Sequence, residues 1–193
     1  MSKLPNILTI SRIILTPVFL ILILSENEYL RILALLVFTI AALTDFFDGY
    51  LARQLDADSD FGNFLDPLAD KILTFSGFLA FSLLDPHVFP WWILALIIGR
   101  DVFITLLRMI AKRNNKVLQT SNSAKLKTAV QMVFIYTGLV AFIALSFKSL
   151  NEVTSAWLFE SGALYFLYLG VMLFTIYTAL EYVVKNKDIF SRA

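Results

Sequence analysis

Cysteine is absent from all 193 residues, which excludes disulfides, thiol catalysis and cysteine-ligated zinc. Histidine is nearly absent: His87 stands alone in the proline-bearing break DPHVFP, so a histidine general base is not expected. Charge is scarce as well, with 16% charged residues against 59% hydrophobic ones and a net charge of +1. Neither a basic excess nor a basic-aromatic pattern points to nucleic acid. No internal repeat, low-complexity run or linker divides the chain, so a single domain over 1–193 is expected. No cleavable signal is evident, because Arg12 and Pro17 interrupt the first apolar stretch and no A-x-A site follows it.

Long apolar runs are what the chain does have. Its mean hydropathy is +0.76, and a water-soluble domain of this size would expose far too much apolar surface. Six segments approach the roughly twenty residues needed to cross a bilayer: 6–25, 29–52, 61–84, 88–111, 126–147 and 162–184. The breaks between them are SENE, QLDADSD, DPHVFP, KRNNKVLQTSNSAK and KSLNEVTSAWLFES. The expected fold is therefore all-α: a polytopic membrane protein with six transmembrane helices and a partly interfacial N-terminal stretch. Alternate breaks and the two ends carry Lys3, Arg53, Lys112, Arg113, Lys116, Lys125, Lys127, Lys185, Lys187 and Arg192, whereas the opposite breaks carry only Arg31 and Lys148. The positive-inside rule then puts both termini in the cytoplasm.

Against this apolar background stand Asp45, Asp48, Asp66 and Asp70. One Asp at the centre of a membrane helix costs roughly 2.5–3.5 kcal/mol on insertion scales, so four uncompensated would cost about 10 kcal/mol. Arg53 and Lys71 are too few to neutralise them, which points to a bound divalent cation shared with phosphate oxygens, the arrangement magnesium favours. Asp45 and Asp48 are i, i+3, with Ala52 four beyond Asp48, and Asp66 and Asp70 are i, i+4, so each set shares a helical face. The seventeen residues between Asp48 and Asp66 suffice to end one helix, turn, and start an antiparallel neighbour. Gly49, Ala52 and Gly62 are small enough for close approach of a ligand or a facing backbone. Asp56, Asp58 and Asp60 read as a solvated acidic loop.

Other ionisable residues lie in or near the apolar segments. Arg100 and Arg108 are eight apart, near one face of the fourth segment, and Asp101 reads as a structural ion-pair partner. Arg12, Arg108, Lys125 and Lys127 can together line a cytoplasmic anion pocket. For Arg12 a snorkelling position stays open, as does a positive-inside role for Lys125 and Lys127. Trp91 and Trp92 read as an interfacial belt, and Gly162 and Gly170 as aids to helix packing.

The string D45xxD48G49xxA52R53x8G62xxxD66xxxD70 resembles, without a departure, the signature of the CDP-alcohol phosphatidyltransferases. Eight fixed positions over 26 residues make it far more specific than a lone glycine motif. LPNILTISRIILTPVF, GRDVFITLLRMIA, AKLKTAVQM and YLGVMLFTIYTALEYVVKNKDIF further resemble the bacterial phosphatidylglycerophosphate synthases of that family, with Asp101 standing where a Glu is expected.

The resemblance implies transfer of the phosphatidyl group of CDP-diacylglycerol to sn-glycerol 3-phosphate, with release of CMP. It implies Mg²⁺ or Mn²⁺ held by Asp45, Asp48, Asp66 and Asp70, with Asp70 also the base toward the acceptor hydroxyl. Asp48, Gly49, Ala52, Arg53, Gly62 and Asp66 would bind CDP-diacylglycerol, Arg53 at the pyrophosphate and the small residues beside the cytidine. Arg12, Arg108, Lys125 and Lys127 would hold the acceptor phosphate. A homodimer in the bacterial inner membrane, its site facing the cytoplasm, is the implied setting. The signature is blind to the acceptor, so inositol phosphate, serine or phosphatidylglycerol stays open. A divalent-cation transporter is the rival from another class.

Overall fold

The computed structural model describes the backbone of residues 3–55, 60–113 and 122–186, and the side chains of 10–44, 71–111, 123–147 and 149–186. Among the described residues every element is helical: α1 (Lys3–Ile23), α2 (Glu28–Leu55), α3 (Asp60–Leu84), α4 (Trp91–Arg113), α5 (Asn122–Ser146), α6 (Lys148–Thr154), a π-helical stretch (Ser155–Glu160) and α7 (Ala163–Lys185). The six long helices lie on the six apolar segments expected from sequence. Local chemistry sets their ends. Asn27 Oδ1 accepts from the backbone N–H of Tyr29 at 2.9 Å and Leu30 at 3.3 Å, and Glu28 follows in the positive first turn of α2. Asp85 Oδ1 accepts from His87 N at 3.0 Å and Val88 N at 3.1 Å, which closes the turn between α3 and α4.

One break between the expected spans is itself helical. KSLNEVTSAWLFES forms α6 and the π-helical stretch, because no Pro or Gly interrupts it before Gly162. Gly162 ends it with φ +76°, a backbone conformation that L side chains rarely adopt. Its role is thus conformational, and a Cβ on Gly170 would meet nothing within 4 Å. Neither glycine lets helices approach, contrary to the expectation from their spacing.

That task falls to Gly77 and Gly138. A Cβ on Gly77 of α3 would come within 2.9 Å of Ile135 of α5, and one on Gly138 of α5 within 2.5 Å of the Phe81 ring of α3. Each helix thus receives a side chain of the other where it has none of its own. Phe81 stacks on Phe142 at 5.7 Å between centroids and meets Phe89 at 5.1 Å. Phe134 lies parallel to Tyr168 at 5.5 Å. This aromatic cluster fills the half of the bundle nearest the α3–α4 turn. Arg31 closes the same pole by donating to Ser25 O and Ser146 Oγ, both at 2.7 Å, which joins the start of α2 to the end of α5.

At the opposite pole Ser123 of α5 bonds Glu181 of α7, and Arg108 of α4 donates to Tyr182 Oη of α7 at 3.3 Å. The long helices therefore alternate in direction, and the C-terminal end of α2 and the start of α3 belong to this second pole. Outward, apolar side chains dominate: Ile14, Ile21, Leu36, Ile40, Phe103, Leu106, Val133, Phe166 and Leu173 are exposed. Patches of this extent are a liability in water and are stable against lipid. Among the described residues, Ser123–Ser146 and Ala163–Lys185 are long and apolar enough to cross a membrane, and Ile10–Ile23 and Lys71–Leu84 are shorter apolar stretches.

Because the Phe81 ring is fully buried among other rings, it has no room to swing aside. Gly138→Val should cost about 1–3 kcal/mol through overpacking, and Gly170→Val close to nothing. Thermal unfolding of the two variants in detergent measures the difference, and equal midpoints would refute the interlocked seam.

Candidate functional site

The second pole holds a cavity of about 130 Å³ between α3, α4 and α5. That is smaller than the roughly 300–1,000 Å³ pockets of drug-sized ligands, so it suits a small, polar molecule. Its walls follow helical register. Lys71 and Thr74 come from α3, Arg100, Asp101, Ile104 and Arg108 from α4, and Ala124, Lys127, Thr128 and Gln131 from α5. The α5 set is i, i+3, i+4, i+7, one face of that helix.

Among the described residues, four cations share this wall with one carboxylate. Both oxygens of Asp101 accept from Lys127 Nζ at 2.9 Å, and Oδ1 also accepts from Arg100 Nη1 at 2.9 Å. Arg100 reaches past it to α7, donating Nε to Thr175 O at 3.2 Å and Nη2 to Thr178 Oγ1 at 2.8 Å. Lys71 crosses from α3 to α4, donating to Asp101 O at 3.1 Å and bonding Thr105 Oγ1. Arg108 is held differently. Its guanidinium carbon lies 5.4 Å from the Tyr182 ring centroid and its Nε donates to Tyr182 Oη, while its two Nη groups have no partner among the described residues. Arg108 thus presents a fixed, open fork, the geometry that suits bidentate binding of a phosphate.

The four basic residues expected to form an anion pocket separate in the structure. Arg108 and Lys127 line the cavity, and Lys125 does not. Residues two apart on a helix face opposite ways, which is why Lys127 is buried and Lys125 exposed. Arg12 is not in the lining either and is only 1% exposed, so it does not snorkel. It lies on the buried face of α1 with Thr16, Phe19 and Ile23. Asp101 is the ion-pair partner its position suggests, though of Lys127 as well as Arg100. Lys71 and Arg100 were missed as cavity residues. The signals were present: Lys71 directly follows Asp70, and Arg100 lies two turns before Arg108. Nothing in the sequence marks Gln131.

Asp45, Asp48, Gly49, Ala52 and Arg53 lie on the last three turns of α2, and Gly62, Asp66 and Asp70 on the first three of α3. Their side chains lie outside the described residues. Backbone placement alone brings the two groups to the cavity's pole, and in the register of α3 the lining residue Thr74 is one turn beyond Asp70. Among the described residues no group of His, Cys, Asp and Glu could hold a metal ion.

A family model described as CDP-alcohol phosphatidyltransferase matches residues 2–176. A probable phosphatidylglycerophosphate synthase of Mycobacterium tuberculosis H37Rv is 39% identical over 137 residues, which cover 69% of this chain and 64% of that relative. The chain thus spans just under two thirds of the mycobacterial protein's length. A CDP-diacylglycerol–glycerol-3-phosphate 3-phosphatidyltransferase of Salmonella typhimurium LT2 is 37% identical over 138 residues, 68% of this chain and 73% of the relative. The Bacillus subtilis protein of that name is 31% identical over 198 residues, covering 96% of each.

Proposed function

The chain belongs to the CDP-alcohol phosphatidyltransferase family, and from that premise we propose that it transfers the phosphatidyl group of CDP-diacylglycerol to sn-glycerol 3-phosphate. The products are phosphatidylglycerophosphate and CMP. The observation that carries the acceptor is the cationic cavity, with Arg108 open toward it, at the pole where α2 ends and α3 begins. The names of the Salmonella and Bacillus relatives support the same acceptor.

In this reading Arg108 and Lys127 hold the acceptor's phosphate, with Lys71 and Arg100 adding positive potential behind them, while Lys125 lies outside the cavity and Arg12 within the packed face of α1. Asp70 takes the proton from the acceptor hydroxyl, and no histidine in the interior competes for that role. The hydroxyl oxygen bonds to the phosphatidyl phosphorus as the bond from that phosphorus to the CMP oxygen breaks, so CMP leaves with the electron pair. Arg53 contacts the pyrophosphate, and Gly49, Ala52 and Gly62 leave room for the cytidine end. Four carboxylates with no nitrogen or sulfur donor fit a hard dication such as Mg²⁺ or Mn²⁺, held by Asp45, Asp48, Asp66 and Asp70. When bound, that ion neutralises charge on the transferred phosphate and on the leaving group.

The setting belongs to the same reading: six membrane spans in a bacterial inner membrane, both termini and the reaction pole cytoplasmic. Alternating helix direction and the outward apolar surface support the spans. The homodimer rests on family grounds.

Three outcomes are expected. Asp45→Asn, Asp48→Asn or Asp66→Asn should each abolish most CMP release while leaving an extractable, folded protein, and EDTA should silence the wild type reversibly. Activity that persists in EDTA would remove the metal from the scheme. Arg108→Ala should raise the KM for glycerol 3-phosphate about tenfold or more, with the KM for CDP-diacylglycerol nearly unchanged. Equal damage to both constants would place Arg108 outside the acceptor site. Single cysteines at Ser59 and Ser121 should react with an impermeant thiol reagent only from the cytoplasmic face, and one at Ser155 only from the other. Labelling of Ser59 and Ser155 from one side is incompatible with six spans.

A further inference from the structure

We propose that Gln131 sets acceptor specificity, its side-chain amide hydrogen-bonding the hydroxyl of the acceptor that does not react. The assignment rests on reading the cavity as the acceptor site and adds to it the group that reads the carbon chain. Gln131 lies one turn beyond Lys127 on α5, lines the cavity, and is only 1% exposed. Its Nε2 donates to Thr175 Oγ1 of α7 at 3.2 Å, and its Oε1 has no partner among the described residues.

A buried amide end without a partner is costly in an apolar bundle, and such groups in folded proteins nearly always have a partner. Turning the amide over exchanges the two ends and leaves Nε2 open instead. A hydroxyl satisfies either arrangement, because it both donates and accepts. A phosphate satisfies only one of them, and it is better served by the cations nearby.

The neighbouring groups divide the work. Lys127 and Arg108 are pure donors that suit phosphate oxygens but cannot accept from a hydroxyl. Asp101 already accepts three hydrogen bonds from Lys127 and Arg100, two at Oδ1 and one at Oδ2, and is engaged in holding those cations. Of the neutral polar residues in the lining, Thr74, Thr128 and Gln131, only Gln131 has a buried polar atom with no partner among the described residues, and it is the group we assign to telling a polyol phosphate from a phosphate with a bare carbon chain. One turn of helix, about 5.4 Å, separates it from Lys127, a span that glycerol bound through its phosphate can bridge.

The test compares two acceptors on the purified full-length enzyme with CDP-diacylglycerol and Mg²⁺, following CMP release. Glycerol 3-phosphate has the middle hydroxyl; 3-hydroxypropyl phosphate keeps the phosphate and a terminal hydroxyl but lacks the middle one. Wild type should favour glycerol 3-phosphate by about tenfold or more in kcat/KM, the worth of one buried hydrogen bond. Gln131→Leu, and in parallel Gln131→Met as the closer match in shape, should abolish that preference by lowering the rate with glycerol 3-phosphate alone. Loss of rate with both acceptors, preference intact, would show that Gln131 only supports the fold, and a wild type indifferent to the middle hydroxyl would overturn the assignment without any variant. A wild type that turns over neither phosphate would overturn the acceptor reading itself, and this assignment with it.

Discussion

Charge inside an apolar bundle has to be compensated inside the bundle, because neither lipid nor water is there to do it. Asp101 meets that requirement for Lys127 and Arg100 at once, and the cavity depends on it. The same turn of α4 accepts Lys71 through the Asp101 carbonyl, while Arg100 continues to the Thr175 carbonyl and the Thr178 hydroxyl. Four helices are thereby joined at one level of the bundle. Cations that would otherwise repel one another are held a few ångströms apart, which is the state an anion-binding wall requires. In the proposed function, a carboxylate on this helix therefore shapes a site for an anion rather than opposing it.

The bundle divides its two ends between packing and chemistry. Around Phe81, Phe89, Phe134, Phe142 and Tyr168, rings fill the interior. At the other end the interior is lined by lysine, arginine, threonine and glutamine. α3 runs through both. It leaves the pole of the Asp motif, passes Lys71 and Thr74 in the cavity wall, and reaches the seam with α5 at Gly77 and Phe81. Six residues of helix, about 9 Å, separate Lys71 from Gly77, so the cavity wall and the seam with α5 lie on one continuous helix.

In the proposed function, this arrangement separates the two substrates. In that reading the helix ends bearing the Asp signature handle the charge of a nucleotide-activated lipid, and the cavity of about 130 Å³ suits a small partner. Its walls come from α3, α4 and α5, one or a few residues from each turn, and can change without disturbing the signature.

Much of this was legible in the sequence, because it depends on local chemistry. Apolar runs of spanning length gave six long helices within a few residues of their ends, and the spacing of Asp45, Asp48, Asp66 and Asp70 set each group on a helix face by register alone. The helical path of 148–160 and the opposed facing of Lys125 and Lys127 had local signals too, a lack of Pro and Gly and a spacing of two, yet the first was expected only as a break and the two lysines in one pocket. The tertiary structure decided the rest. Gly77 and Gly138 serve packing and Gly162 serves a turn, yet all three look alike in sequence, because the difference is which side chain of another helix arrives opposite. Arg12 is buried while Arg108 is open, and Lys71, Arg100 and Gln131 meet in one cavity. Helical periodicity records which residues share a face of one helix; which faces meet is fixed by close packing between helices distant in sequence.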